Sequence, residues 1–206
     1  MDIESALVSI ILPTYNRAHL LPAAIDSVLA QTYQTWELII WNDGSSDDTE
    51  NVLRALSDPR IRCLTEDNHG KSYALNRSLE ESQGDLIAFL DDDDQWLPKK
   101  LEKQVEVMSE FPDIDLTFAN FNNVDVEAKM QDVAFEQNAE GLAQLKTQRI
   151  NEDWWLISEG FLEGVARENF IAFDSVMLTK NAIDIAGQFN ESLKTAEDFE
   201  YWWRFG

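Results

Sequence analysis

Leu86-Ile87-Ala88-Phe89-Leu90-Asp91-Asp92-Asp93-Asp94-Gln95-Trp96-Leu97-Pro98 decides the fold. Five apolar residues run straight into four carboxylates. Like charges packed this densely repel, so the cluster is tolerable only in water or around a cation. The apolar run reads as a buried strand, and in open α/β sheets ligands bind beyond the carboxyl ends of the strands. A carboxylate cluster placed there suits a hard divalent cation and, through it, a phosphate. Taken alone, the cluster also reads as a solvated acidic turn.

Upstream of this stretch, strand and helix signals alternate. Leu7 to Leu12 is a short apolar strand, and Leu20 to Gln31 carries Leu21, Ile25, Val28 and Leu29 at helical spacing, with Pro22 in the first turn. Trp36 to Trp41 reads as a second strand. Ser46 is placed to cap a helix reaching about Ser57, with Val52, Leu53 and Leu56 on one face. Ile61 to Thr65 is a third strand, Ser72 to Ser82 a helix, Leu86 to Leu90 the fourth strand, and Pro98 to Glu110 a further helix. Alternation with short connections predicts a parallel sheet covered by helices on both faces.

Downstream the pattern loosens. Leu116 to Asn120 looks like a strand, and Asn122 to Arg149 like a polar loop with helical pieces. Trp154 to Phe173 is aromatic-rich, Ser175 to Leu178 strand-like, Asn181 to Ala186 a short helix, and Asp198 to Phe205 the start of another. The division falls after Leu97: residues 1–97 read as a regular half and 98–206 as a less regular half of the same domain, truncated at its C-terminus.

The 206 residues carry a net charge of −23. That charge argues against nucleic acid and anionic lipid as partners, because their phosphates would be repelled. A phosphorylated substrate must therefore arrive with a cation. Cys63 is the single cysteine, so no disulfide forms within the chain and a reducing compartment is the natural reading. Asp2 and Glu4 stand where a secretory leader would be basic, and no apolar run is long enough to cross a bilayer. The expected setting is cytoplasmic, with any membrane or partner segment lying in sequence beyond this chain.

In the expected sheet four loops share one rim: Pro13-Thr14-Tyr15-Asn16-Arg17, Asn42 to Asp48, Asn68-His69-Gly70-Lys71 followed by Asn76, and the aspartates. An aromatic, amides, carboxylates and one or two cations suit a nucleoside diphosphate. Tyr15 is placed to stack on a base, Asp43 to accept from a base N–H, Asp91 or Asp92 to bind a ribose hydroxyl, and Asp93 to hold a metal. Each has a plainer reading. Tyr15 suits any loop, Asp43-Gly44 is a common turn pair, Lys71 suits a solvated charge, and His69 a loop position.

The ordered set resembles family 2 glycosyltransferases of the GT-A fold. The residues that carry it are Val8 to Arg17, Asn42 to Thr49, Asn68 to Lys71 with Ala74-Leu75-Asn76, and Gly84 to Pro98. Further matches are Asp174 to Leu178, Ala186 to Glu191, and Glu197 to Glu200 with Arg204. The resemblance implies a Rossmann-like, mostly parallel sheet and transfer of a sugar from a nucleotide-sugar donor, with inversion, to a glycan, lipid-linked or other hydroxyl acceptor. It implies donor contacts from Pro13, Thr14, Tyr15, Asn16, Asp43, Lys71, Asn76, Asp91 and Asp92. It places a Mg²⁺ or Mn²⁺ on Asp93, with Asp91 and Asp94 as alternative ligands of the four-aspartate run. It makes Asp198 the catalytic base, with Glu197 and Trp202 on the acceptor side or behind it. Some members add a late histidine ligand, but His19 and His69 both lie early. Trp154, Trp155, Phe161, Phe170, Trp202 and Trp203 offer either sugar-stacking surfaces or core. Trp96 is expected to pack beneath the acidic loop.

Two other functions compete. A sugar nucleotidyltransferase needs a glycine-rich first loop, and Pro13 to Arg17 has no glycine. A catalytically silent nucleotide-binding or scaffolding domain would keep the donor loops and lack base or metal site.

Overall fold

A computed structural model of the chain describes residues 5–124, 130–137 and 139–205. Four β/α units come first: β1 Val8–Thr14, α1 Leu21–Leu29, β2 Trp36–Asp43, α2 Thr49–Arg54, β3 Ile61–Glu66, α3 Lys71–Glu81, β4 Leu86–Phe89 and α4 Lys100–Glu110. Then follow β5 Leu116–Thr117, β6 Asn122–Val124, β7 Met130–Val133, α5 Ala134–Gln137, α6 Ala139–Leu142, β8 Lys146–Arg149, β9 Trp155–Glu159 and α7 Phe161–Arg167. The described chain closes with β10 Met177–Thr179, α8 Lys180–Ala186 and α9 Glu197–Trp202.

The main sheet has the order β3-β2-β1-β4-β10-β5. β1 to β4 are parallel, as alternation predicted. β10 runs antiparallel to both β4 and β5. The cause is where the chain enters: β10 follows a 3-10 turn, Phe173–Ser175, and Trp96 Nε1 of the acidic loop donates to Asp174 O at 2.9 Å. The strand therefore starts at the rim and runs away from it. The sheet is mostly parallel and mixed at this edge.

β1 and β2 are buried along their whole length, which explains their nearly continuous apolar sequences. Alternate residues serve two cores. Val8, Ile10, Leu12, Leu38, Ile40, Ala88 and Leu90 pack against α1 and α4 through Leu21, Ile25, Val28, Leu101, Val105 and Met108. Ile11, Ile39, Ile87 and Phe89 point the other way, onto Leu75 and Leu79 of α3 and an aromatic group of Phe170, Phe173, Phe189, Tyr201 and Trp202. Each buried Val, Leu, Ile, Phe or Met side chain among them contributes about 1.5–3 kcal/mol.

Several boundaries differ from expectation. α2 begins at Thr49, and Ser46 is not its cap. Asn16 Oδ1 accepts from Ser46 N at 2.7 Å and Asp47 N at 3.3 Å, so this segment is held to the first loop instead of winding into helix. Asp47 Oδ1 accepts from Thr49 N and Oγ1 in its place. The strand after α4 is only Leu116–Thr117. The stretch read as a polar loop holds the β6–β7 hairpin, α5, α6 and β8, which pairs with β9. Residues 125–129 and 138 of that stretch lie outside the described residues. α8 starts at Lys180, with Thr179 Oγ1 accepting from Ala182 N.

Candidate active site

The carboxyl ends of β1, β2, β3 and β4 carry the polar loops to one rim, as the parallel register requires. At the end of β1, buried Thr14 donates through Oγ1 to Asp92 Oδ2 at 2.7 Å. Pro13 is a buried strand residue beside it. Tyr15 is 48% exposed, with its ring open to a ligand. Asn16 has φ 55°, and its Oδ1 accepts from Ser46 N and Asp47 N, which ties the first loop to the second at the rim.

Asp43 ends β2 buried. Its Oδ1 accepts from His69 N at 2.8 Å, and its Oδ2 from Gly70 N and Asn68 Nδ2, both at 2.9 Å. One carboxylate thus builds the loop that delivers Lys71. Gly44 next to it has φ +72°, and a Cβ there would sit 2.6 Å from Asn68 N, so only glycine lets the two loops meet.

Lys71 opens α3. Its Nζ lies 2.7 Å from Asp91 Oδ1, 2.9 Å from Asp91 Oδ2 and 3.4 Å from Glu197 Oε1, above the Phe173 ring. Burial works against the ammonium, but the two carboxylates hold its pKa above the ordinary lysine value. This cation ties the end of β4 to the start of α9.

Burial raises the pKa values of Asp91 and Asp92, against the pull of Lys71 on the first and Thr14 and Arg17 on the second. Asp94 is pushed up to about 7, first by loss of hydration around its carboxylate, then by Asp174, Asp91 and Asp93. Arg17 Nη1 pairs with Asp93 Oδ2. One oxygen each from Asp91, Asp93 and Asp94 lies within 4.8 Å of the others, an all-oxygen set that fits Mg²⁺ or Mn²⁺. Both Asp91 oxygens already face Lys71, which leaves Asp93 and Asp94 better placed as ligands.

Glu197 is buried in the first turn of α9 and Asp198 beside it is half-buried. Burial raises the Asp198 pKa, and Glu197 and Asp91 add to the shift, while the Phe199 N–H on Oδ1 opposes it. The helix is entered through Ala196 at φ 60°, a left-handed conformation costly for a residue with a Cβ.

Two expected site residues lie beneath the rim. Asn76 is fully committed beneath the rim: Nδ2 donates to Phe189 O and Glu191 Oε1, and Oδ1 accepts from Phe189 N. An amide so used pins the 189–191 segment to α3. Trp202 is wholly buried against Phe89 and Phe173, so it supports α9 from the core. Phe170 is likewise core, whereas Trp155 and Trp203 are exposed. Trp96 packs as expected, 6% exposed under the acidic loop.

Arg17, Asp174 and Lys100 were not singled out from sequence. Lys100 Nζ sits 3.8 Å above the Trp96 ring; burial lowers its pKa to about 7 against the pull of Asp174, whose own pKa burial raises. Arg17 is the cation of the first loop and Asp174 opens a stretch that carries the family resemblance, whereas Lys100 has no sequence signal.

Residues 9–164 match the sequence profile described as Glycosyl transferase family 2. Over 106 residues the chain is 46% identical to the UDP-Glc:alpha-D-GlcNAc-diphosphoundecaprenol beta-1,3-glucosyltransferase WfgD of Escherichia coli, covering 51% of this chain and 42% of that one. The fold is similar to that of S. aureus TarS 1–349 in complex with UDP-GlcNAc, with TM-score 0.70, 18% identity, and coverage of 96% of this chain and 52% of that one. It is also similar to the mannosyltransferase PcManGT of Pyrobaculum calidifontis in complex with GDP-Man and Mn²⁺, with TM-score 0.69, 17% identity, and coverage of 95% and 50%. The chain covers between 27% and 60% of the length of the curated relatives it matches. The fold is GT-A, and the chain belongs to glycosyl transferase family 2.

Proposed function

We propose that this chain is the donor-binding and catalytic core of an inverting glycosyltransferase, taking a sugar from a nucleoside diphosphate sugar to an acceptor hydroxyl. The observation that carries the reading is the meeting of Asp91–Asp94 with Glu197 and Asp198 at one rim, tied by Lys71. Residues 1–97 supply the donor side and 98–206 the acceptor side. Tyr15 stacks on the base, Asp43 accepts from a base N–H with lone-pair capacity beyond its loop contacts, and Asp91 or Asp92 receives a ribose hydroxyl.

Asp198 takes the proton of the acceptor hydroxyl as that oxygen attacks the anomeric carbon. The bond from that carbon to the diphosphate breaks on the opposite face, and its electron pair leaves with the phosphate. One displacement inverts the configuration. A positioned base of this kind gives about 10²–10⁴-fold. Asp93 and Asp94 would hold a Mg²⁺ or Mn²⁺, which supplies Lewis-acid stabilisation of the departing diphosphate.

The neighbours solved with UDP-GlcNAc and GDP-Man support a nucleotide-sugar donor. The diphosphoundecaprenol acceptor named for the Escherichia coli relative supports a lipid-linked glycan acceptor. Among the described residues no helix is long and apolar enough to cross a membrane. The test is thermal shift and calorimetry with UDP-glucose, UDP-GlcNAc and GDP-mannose, with Mn²⁺ or with chelator. At least one donor should raise the melting temperature only with Mn²⁺ and release free nucleotide when an acceptor is supplied. A panel that shifts nothing would sink the reading.

A further inference from the structure

Arg17 and the metal need the same carboxylate. Arg17 Nη1 is paired with Asp93 Oδ2, and Asp93 is one of the three aspartates whose oxygens converge. Both side chains are more than two-fifths exposed, so the pair is a surface ion pair of small worth. A divalent cation facing several carboxylates attracts each more strongly than a guanidinium at the edge of the group does.

The backbone on either side of Arg17 is clamped. Asn16 Oδ1 accepts from Ser46 N at 2.7 Å, and Ala18 N donates to Asp47 Oδ2 at 3.0 Å. Arg17 O also accepts from Leu20 N and Leu21 N to start α1. When Asp93 is claimed, the loop stays and only the arginine side chain swings. Its exposed guanidinium then stands at the mouth of a strongly acidic rim, next to the position a metal-bound diphosphate must take. Guanidinium and phosphate oxygens match as paired donors and acceptors.

We propose that Arg17 is a resident counter-ion of Asp93 that a divalent cation displaces onto the donor's diphosphate, so that metal and donor bind cooperatively. The inference rests on the metal and donor reading of the rim. Without nucleotide, Arg17 competes with the metal; with nucleotide, it has a new partner and the competition ends. By linkage, the metal tightens the nucleotide by the same factor.

The test titrates Mn²⁺ by electron paramagnetic resonance at about 0.15 M salt, alone and with UDP or GDP as probes. Wild type, Arg17→Gln and Arg54→Gln are compared. Arg54 pairs with Glu50 on the exposed face of α2 and controls for the loss of one positive charge from a −23 protein. Arg17→Gln should bind Mn²⁺ alone about two- to fivefold more tightly than wild type, with Arg54→Gln unchanged. The factor by which nucleotide tightens Mn²⁺ should shrink in Arg17→Gln. Equal Mn²⁺ affinity in wild type and Arg17→Gln, an equal gain in Arg54→Gln, or an undiminished nucleotide factor overturns the inference and leaves the metal site standing. Failure of wild type to bind Mn²⁺ even with nucleotide overturns both.

Discussion

Lys71 Nζ lies 2.7 Å from Asp91 Oδ1 and closes the gap between the end of β4 and α9 by also reaching Glu197. A cation in this position offsets charge that would otherwise push the two halves of the rim apart. Lys71→Met leaves two largely buried carboxylates facing each other. The expected loss is about 1–2 kcal/mol, below that of a fully buried pair because the lysine side chain is 36% exposed. Denaturant unfolding measures it. Lys71→Arg should recover most of the loss; equal loss in both variants would show that the charge is not what holds the halves together.

Asp198→Asn should lower turnover about 10²–10⁴-fold while donor binding in calorimetry stays near wild type. A preserved rate would remove Asp198 as base. The base works ionised, and burial raises its pKa above the ordinary aspartate value. The acid limb of the rate profile therefore lies above the usual carboxylate range, with rate rising as pH climbs through it. An acid limb at the unperturbed aspartate position would contradict this.

The raised pKa of Asp94 carries a sign for stability. Its folded value, about 7, lies above the ordinary aspartate value, so the folded chain holds the proton more tightly. Its contribution is fully present below the unfolded value and is lost as pH rises toward 7. Asp94→Asn has no such loss. Metal-free, the variant should gain stability relative to wild type as pH is raised from about 5 to 7, read as a widening gap in melting temperature. A gap that stays flat or narrows would refute the assignment. Lys100, lowered to about 7, acts with the opposite sign above that pH and is common to both proteins.

Asn76→Ala strands the Phe189 N–H and carbonyl in the interior. Each unpaired buried group costs about 1–3 kcal/mol. Hydrogen exchange should quicken at 187–191, while nucleotide affinity of the folded fraction stays unchanged. A selective loss of nucleotide affinity would restore Asn76 to the donor site.

Much of this was legible in sequence because parallel strands impose a rule. Continuous apolar runs such as Val8 to Leu12 mark strands buried on both faces, and whatever follows them gathers at one rim. Asp43, Lys71 and the aspartates reach the rim by that rule. The rule does not say what a polar side chain does on arrival. Asn76 lies in the helix that Lys71 opens and, as a polar residue near the rim, reads as ready to face a ligand; only the return of the chain at Phe189 shows it turned inward. The antiparallel entry of β10 was hidden for a similar reason, since a short apolar strand carries no mark of direction.

The bond from the Trp96 indole to the Asp174 carbonyl means that the acidic loop hangs on the turn that leads into β10. The acidic loop and the segment that leads into β10 are therefore not interchangeable cassettes. A chimera that borrows residues 111–176 from a relative to change acceptor preference would tilt Trp96 and, with it, the four aspartates. Such grafts should keep metal affinity only when the donor loop and the turn at 173–175 are exchanged as one piece.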